Sequence, residues 1–326
     1  MDSLTQAALG AAIGEALLGK KLGHKAALAG AVIATIPDLD VLLLPLYNDL
    51  DRISIHRGYS HSILFTVLGA FLFAYILNRI KWTKTASYWK LWLFSFLALF
   101  THVLLDTFTS YGTQLFLPIT DWRVSFDSIS IVDPVYTLPL LIGLIVSLFI
   151  YKKKHKRRNL PNTLGLIISS VYLLFTLANK QHIQNVMYDQ LESQGISHYR
   201  LLTVPVAIGN TAWYGVAKDD KQLHIGRYSL LEKNPIDFES FDINDQLLEE
   251  LDPYLVDRLK WFAQGFYTVA EYEGKIRLYN MQCDMQGVRS FGDYKAPTAF
   301  YYEIEPLESG EFRLDSGMHS SDVADE

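Results

Sequence analysis

The chain has 326 residues, of which 50% are hydrophobic and 20% charged, and its formal net charge at pH 7 is −6. A mean hydropathy of +0.12 together with that many charges indicates a membrane part joined to a soluble part. The single cysteine, Cys283, excludes an internal disulfide and a thiolate metal cluster.

Apolar segments separated by short polar loops fill the first 180 residues. Because about 20 apolar residues span a bilayer core, this pattern predicts a multi-pass α-helical membrane domain over residues 1–180. The six predicted segments are residues 5–18, 26–44, 62–80, 88–108, 135–151 and 164–178.

The first of these segments is short and contains a carboxylate, Glu15, and two glycines, Gly10 and Gly14, among many alanines. Small residues let helices approach closely, so we expect this segment to pack against other helices more than against lipid. Glu15 is expected to pair structurally with Lys20 or His24, and a catalytic role is the alternative.

The positions of lysine and arginine predict the orientation, because positive residues in short loops stay cytoplasmic. The basic run at 151–158 therefore places that loop in the cytoplasm. Two more basic loops fall on the same side, and they contain Lys20, Lys21 and Lys25, and Arg79, Lys81, Lys84 and Lys90. The remaining loops and the region after residue 180 are then expected on the outer face of the plasma (inner) membrane.

Three polar clusters occur at the segment ends that are predicted to be external. They contain Asp38 and Asp40, then His56 and His61, and finally His102 and Asp106. On a helix His102 and Asp106 stand at i and i+4, so both side chains can reach one ion. Carboxylate and imidazole donors suit zinc, manganese or iron. Any one of these residues could simply cap a helix, but ionisable groups in a membrane cost about 2.5–3.5 kcal/mol each, which favours a shared site.

The order of these clusters resembles the YdjM-like membrane-bound metal-dependent hydrolases. The matching motifs are Pro-Asp-Leu-Asp at 37–40, His-Arg-Gly-Tyr-Ser-His-Ser at 56–62, His-Val-Leu-Leu-Asp at 102–106, Tyr-Gly-Thr-Gln at 111–114 and Asp-Pro at 133–134. The resemblance implies a helical metal site with the ligands Asp38, Asp40, His56, His61, His102 and Asp106. That family is in turn distantly similar to zinc-dependent phospholipase C and S1/P1 nucleases, which implies phosphoester hydrolysis with zinc as the expected metal and manganese or iron as alternatives. Gln6 stands where many members carry histidine, and its amide oxygen is a weaker ligand.

Two further residues are candidates for catalysis. Arg57 lies between the two histidines, where its guanidinium could clamp a phosphate or form a structural pair with Asp49 or Asp51. Asp127 lies in a turn-rich loop and could be a further ligand, a general base or a turn former.

Residues 181–326 alternate polar and apolar side chains and predict a small α+β extracytoplasmic domain. Its predicted strands are 198–206, 211–218, 222–230, 266–272, 275–283 and 300–305, with a hairpin turn at Glu273-Gly274. Apolar spacing over 245–262 predicts one amphipathic helix. We expect the domain to cap the membrane site or to bind a substrate or partner.

These features predict metal-dependent hydrolysis of a membrane-associated phosphoester, such as a lipid or lipid-linked phosphate, at the outer membrane face. The alternative is a non-catalytic metal-binding transporter or sensor. The sequence contains no His-Glu-x-x-His or Gly-x-Ser-x-Gly motif. Nucleic acid is not expected as a partner, because anionic lipid explains the one dense basic run better.

Overall fold

The structure is a computed structural model that divides into two compact units. It describes residues 1–151, 155–206, 208–232, 234–282, 289–291, 294–306 and 312–318. The helical unit comprises Met1–Tyr47 and Ile55–Ala178, and the β unit comprises Asn48–Ser54 and Asn179–Glu326. Cys283 and the lysines at 152–154, which contributed to the predictions, lie outside the described residues.

The helical unit is built from long helices with short breaks. The α-helices of the first two hundred residues are α1 (Ser3–Leu22), α2 (His24–Thr35), α3 (Asp49–Ile55), α4 (Ile63–Arg79), α5 (Tyr88–Asp106), α6 (Pro134–Ile145) and α7 (Asn159–Ser193). Short 3-10 helices at Pro37–Leu46 and Tyr59–His61 follow α2 and precede α4, and a π-helical turn at Val146–Ile150 extends α6. Of these helices, α3 lies almost wholly in the β unit, and α7 contributes residues to both units.

The first two helices pack against each other through glycine, as the small residues of the first segment predict. A Cβ atom on Gly14 would lie 2.1 Å from the carbonyl oxygen of Ala26, and one on Gly30 would lie 2.0 Å from that of Gly10. Gly14 of α1 meets Ala26 of α2, and the earlier Gly10 meets the later Gly30, so the two helices run antiparallel. Gly23, with φ of 67°, makes the sharp turn between them.

Two helices, α5 and α7, are long and apolar enough to cross a membrane. The number rises to four if two bent pairs each form one span: α2 with Pro37–Leu46, bent by 40°, and Asp49–His61 with α4, bent by 52°. The described chain therefore supports two to four of the six predicted spans by length and composition. The sixth predicted segment ended at 178, but α7 continues to Ser193 because no glycine or proline interrupts it after Gly165.

The β unit contains antiparallel sheets. Its strands are β1 (Arg200–Pro205), β2 (Ala212–Lys218), β3 (Gln222–Ser229), β4 (Phe238–Asp242), β5 (Tyr267–Tyr272), β6 (Lys275–Asn280), β7 (Arg289–Phe291), β8 (Tyr294–Ala296), β9 (Phe300–Pro306) and β10 (Phe312–Met318). One sheet has the order β1-β2-β3-β4, a second has the order β10-β9-β6-β5, and β7 pairs with β8. Glu273 and Gly274, with φ of 52° and 76°, form the predicted hairpin turn.

The predicted single helix over 245–262 is wrong. The chain forms a 3-10 turn at Asp245–Leu248 and then a separate helix, α8 (Pro253–Phe262). Proline disfavours helical conformation in the residue before it and cannot donate a helical hydrogen bond, so Pro253 begins a new helix, which Asp252 caps. The chain is therefore a helical N-terminal region followed by a C-terminal β-sheet domain.

Candidate metal site

Three segments of the helical unit place acidic and histidine side chains in one group. Asp38 lies in the first turn of the 3-10 helix that begins at Pro37, directly after the end of α2. His61 ends the short 3-10 helix before α4, while His102 and Asp106 occupy the last turns of α5. The two short 3-10 helices lie at the ends of longer helices. They bring polar side chains into a unit that is otherwise largely apolar.

The donor atoms of these four residues are close together. His61 Nε2 lies 3.4 Å from Asp38 Oδ1 and 3.2 Å from Asp106 Oδ2. His102 Nε2 lies 3.4 Å from each of the same two oxygens and 3.2 Å from His61 Nε2. All four donor atoms lie within 4.8 Å of one another, and the group could hold a metal ion.

Five of the six distances between these donor atoms match the edges of a tetrahedral coordination shell. A tetrahedral ion with nitrogen and oxygen ligands about 2.0–2.1 Å away has ligand-to-ligand edges of about 3.3–3.4 Å. The five edges given above run from 3.2 to 3.4 Å. Asp106 Oδ2 is also buried without a hydrogen-bond donor among the described residues, although two histidine rings face it. The group thus offers two carboxylates and two imidazoles, and one of its carboxylate oxygens has no hydrogen-bond donor among the described residues. This set of donor atoms fits a divalent cation.

The second oxygen of Asp106 is held by other groups of the unit. Asp106 Oδ1 lies 2.5 Å from the amino group of Met1, and it accepts a hydrogen bond of 3.0 Å from Gln6 Nε2. Burial and the neighbouring Arg57 guanidinium lower the pKa of the Met1 amino group. These contacts orient Asp106 so that its other oxygen faces the two histidines.

The guanidinium of Arg57 contacts other side chains of the helical unit. Its Nη1 donates to Thr109 Oγ1 at 2.8 Å, and its Nη2 lies 3.3 Å from Asp106 Oδ1. The guanidinium also lies 4.9 Å from the ring centre of Tyr111, and the residue is only 6% exposed. The alternative that paired Arg57 with Asp49 or Asp51 is therefore wrong, and the residue supports Asp106 instead.

Asp40 and His56, which the resemblance implied as ligands, lie outside the group of four. Asp40 Oδ1 and His56 Nδ1 are 2.9 Å apart and form their own pair beside the group. Asp127 is also outside it, at 7% exposure and with φ of 43°. Its neighbours Phe126 and Ser128 bond to the backbone that follows Asp106, so Asp127 belongs to a segment that lines the end of α5.

Glu15 has a different partner from the two predicted. Arg158 Nε donates to Glu15 Oε1 at 2.6 Å, and Arg158 Nη2 donates to Glu15 Oε2 at 2.9 Å. Both side chains are at most 1% exposed. The pairing with Lys20 or His24 is wrong because it considered only near neighbours, whereas Arg158 is 143 residues away.

The group of four opens to the surroundings on one side. The side chain of Asp38 is 21% exposed, while those of His61, His102 and Asp106 are at most 1% exposed. Exposed apolar side chains are frequent in the segments that carry or adjoin the group. They include Leu42 at 70%, Leu46 at 78%, Tyr59 at 65%, Ile119 at 90% and Trp122 at 61%.

Comparison with known proteins relates the helical unit to bacterial inner membrane proteins. Residues 1–183 match the family described as YdjM inner membrane protein. The uncharacterized protein YfhP of Bacillus subtilis (strain 168) is 30% identical over 207 residues, which cover 60% of this chain and 61% of YfhP. The inner membrane protein YbcI of Escherichia coli (strain K12) is 33% identical over 109 residues, which cover 33% of this chain and 61% of YbcI. The chain thus spans about three fifths of the length of each relative, and no solved structure matches it.

Proposed function

The chain belongs to the YdjM inner membrane protein family, and from this premise we propose that it is a membrane-bound hydrolase that depends on a divalent metal ion, with zinc as the metal. The observation that carries the proposal is the approach of Asp38, His61, His102 and Asp106 at 3.2–3.4 Å. A zinc ion held there would lower the pKa of a bound water toward ~7 and stabilise charge on a phosphoryl oxygen.

Other residues of the chain position the ligands and leave access to the ion. Gln6 and Arg57 hold Asp106 through its Oδ1, which leaves its Oδ2 for the ion. Asp38 is the most exposed of the four ligands, so substrate and water reach the ion from its side. Zinc can expand from four to five ligands during a reaction, which lets a site with four protein ligands accept a further oxygen.

The site is proposed to lie at the outer membrane face. The helix α5 carries Lys90 near its beginning and His102 in its last turns, and α4 begins beside His61 and ends at Arg79. Each helix therefore has a donor residue near one end and a basic residue near the other. Since basic residues stay cytoplasmic, the donor ends point outward.

The proposed substrate is a lipid or lipid-linked phosphoester. The exposed apolar side chains at Leu42, Leu46, Ile119 and Trp122 support it, because they offer a surface to the hydrocarbon part of an amphiphile. For the β unit we propose a role in binding substrate or partner. Among its described residues no group of three or more histidine, cysteine or acidic side chains could hold a metal.

The test uses the full chain in detergent with added zinc. We expect release of phosphate or of a phosphorylated headgroup from at least one member of a panel of phospholipids and polyprenyl phosphates. The double variant His61→Ala/His102→Ala should lose this activity, and His198→Ala in the β unit should keep it. Activity that survives in the double variant, or that is absent from the whole panel with zinc bound, would contradict the proposal.

A second candidate is a non-catalytic metal sensor. The set of four candidate protein ligands favours it, because structural zinc sites are closed by four ligands whereas catalytic sites keep one position open. Transport is less well supported, since Arg158 engages both oxygens of Glu15, the residue that would extend a polar path along α1. Tight metal binding without hydrolysis of any phosphoester would favour the sensor.

A further inference from the structure

Asp40 uses both of its oxygens within the segment 56–61. Its Oδ1 lies 2.9 Å from His56 Nδ1. Its Oδ2 accepts a hydrogen bond of 3.1 Å from the backbone N–H of Arg57 and one of 2.7 Å from the Ser60 hydroxyl. Arg57 adopts a φ of 59°, a turn conformation that directs its N–H toward the carboxylate. A carboxylate has about four acceptor positions, so these contacts leave Asp40 little capacity to bind an ion.

The same carboxylate lies behind His61. His61 Nδ1 is 2.9 Å from Ser60 Oγ and 3.4 Å from Asp40 Oδ2, while Nε2 on the opposite side of the ring belongs to the group of four donor atoms. A metal-bound histidine usually gives its other ring N–H to a carboxylate, a carbonyl or water, and this contact fixes its tautomer and its orientation.

His102 lacks such a support. Its Nδ1 is buried and has no hydrogen-bond partner among the described residues. Among the described residues, the hydrogen-bonded support behind the imidazole pair is therefore on the His61 side.

His56 lies on the other side of Asp40. Its side chain is 26% exposed, whereas that of His61 is fully buried. The ring centres of the two histidines are 6.0 Å apart, and His56 Nδ1 points to Asp40 and not to the group of four. Asp40 thus separates a buried imidazole in the group from a partly exposed one outside it.

We propose that Asp40 is a positioning residue and not a metal ligand: it fixes the orientation of His61 through Ser60 and Nδ1, and its contact with His56 lies outside the group of four. This inference rests on the metal binding in the proposed function. It reassigns two of the six implied ligands, and it leaves a complete set of four at the ion.

The test measures metal affinity by competition with a chromophoric chelator and the visible spectrum of the Co²⁺-loaded full chain in detergent. Asp40→Ala should weaken Zn²⁺ affinity by about 10–100-fold, as loss of such supporting contacts typically does. Its Co²⁺ spectrum should keep the band positions and intensity of the unmodified protein, because the ligand set is unchanged. Asp40→Asn keeps one acceptor oxygen and should recover part of the affinity. His56→Ala should bind within about threefold of the unmodified protein, while His102→Ala should lose the ion.

Ser60→Ala keeps the inference testable if Asp40→Ala does not fold. It removes only the hydroxyl between Asp40 and His61, and we expect it to weaken affinity to a smaller degree than Asp40→Asn does. A Co²⁺ spectrum that changes in Asp40→Asn, or metal loss in His56→Ala equal to that in His102→Ala, would overturn the positioning role while the metal site stands. Unchanged affinity in both Asp40→Asn and Ser60→Ala would do the same. An unmodified protein that binds no ion would overturn this inference and the proposed function together.

Discussion

Two of the buried charged groups in the described part of the helical unit differ in how completely the chain satisfies them. In the first, Arg158 meets Glu15 through two hydrogen bonds of 2.6 and 2.9 Å. Side-chain amides of the neighbouring Asn159 and Asn162 bond to the carbonyls of Ala16 and Ala12. Opposite charges and matching donors thus satisfy both oxygens of the Glu15 carboxylate from within the chain.

The group of Asp38, His61, His102 and Asp106 is not closed in this way. Both of its carboxylates and both imidazoles turn a potential ligand atom toward the same point, and Asp106 Oδ2 accepts no hydrogen bond from the described residues. Three of its four side chains are as deeply buried as Glu15 and Arg158, so burial alone does not identify a functional site. The difference is that the chain satisfies both oxygens of Glu15, whereas Asp106 Oδ2 has no hydrogen-bond donor among the described residues.

Loss of one partner from the closed group should have the largest effect. Arg158→Ala leaves the Glu15 carboxylate buried and unpaired, so we expect a loss of about 3–5 kcal/mol of unfolding free energy, with or without zinc. The measurement is thermal or denaturant unfolding in a fixed detergent. The double change Glu15→Leu/Arg158→Met should recover most of the loss, and a single variant as stable as the unmodified protein would contradict the structural role.

The open group should respond to metal instead. Zinc at 100 times its Kd should stabilise the unmodified protein by about 2.7 kcal/mol, because it binds only the folded state. His102→Ala should show almost none of this gain, and Arg158→Ala should keep it. Equal stabilisation of His102→Ala would mean that zinc binds elsewhere.

A third change tests how tightly the closed group is packed. A Cβ atom on Gly19 would lie 2.3–2.4 Å from the carboxylate atoms of Glu15, so Gly19→Ala should cost about 1–3 kcal/mol of stability. Gly69→Ala is the matched control, since its Cβ would lie 3.1 Å from Leu99 Cδ1 and 3.9 Å from the rings of Phe65 and Phe73. Unfolding of both variants under the same conditions measures the difference, and equal stability would argue against the close contact.

A smaller effect is expected at the edge of the open group. Gln6→Ala removes the amide that donates to Asp106 Oδ1 at 3.0 Å. A single hydrogen bond contributes about 0.5–1.5 kcal/mol, so zinc affinity should fall by about 2–10-fold. Chelator competition measures the change, and an effect as large as that of His102→Ala would instead make Gln6 a ligand.

The smallest effect concerns a charged group of the β unit. Burial would raise the pKa of Glu303, but hydrogen bonds from Lys275 and Arg277 outweigh it and hold the pKa below its ordinary value of 4.5. A depressed folded-state pKa adds stability above the unfolded-state pKa, and this stability is lost as pH falls below about 4.5. Glu303→Gln should therefore be less stable at pH 7 by less than about 1 kcal/mol, and the difference should vanish at low pH. A difference that grows on acidification would contradict this.

The sequence predicted the residue types of the candidate metal site better than their positions. Acidic and histidine residues at helix ends are visible in the order of the motifs, and the i, i+4 spacing of His102 and Asp106 is enough to place both on one helix face. The spacing of Asp38 and Asp40 is not informative in the same way. Two residues apart on a 3-10 helix, they point in different directions, and only the fold determines that Asp38 joins the group and Asp40 lies behind His61.

The sequence also did not predict which distant residue pairs with Glu15. The pairing of Glu15 with Arg158 depends on the packing of α7 against α1, and nothing in the basic run distinguishes Arg158 from its neighbours. The break at Pro253 was visible in the sequence, because proline rarely continues a helix. The strand β4 was missed, since residues 238–242 lack the strict alternation of a half-buried strand.

The most direct test of the central claim is X-ray absorption spectroscopy at the zinc edge, combined with elemental analysis, on the unmodified full chain after removal of loosely bound metal. The account predicts one zinc ion per chain, with two imidazole nitrogens and two carboxylate oxygens at about 2.0–2.1 Å. The double variant His61→Ala/His102→Ala should contain none. A protein without zinc even after incubation with excess ion, or zinc whose surroundings are the same in the double variant, would contradict it.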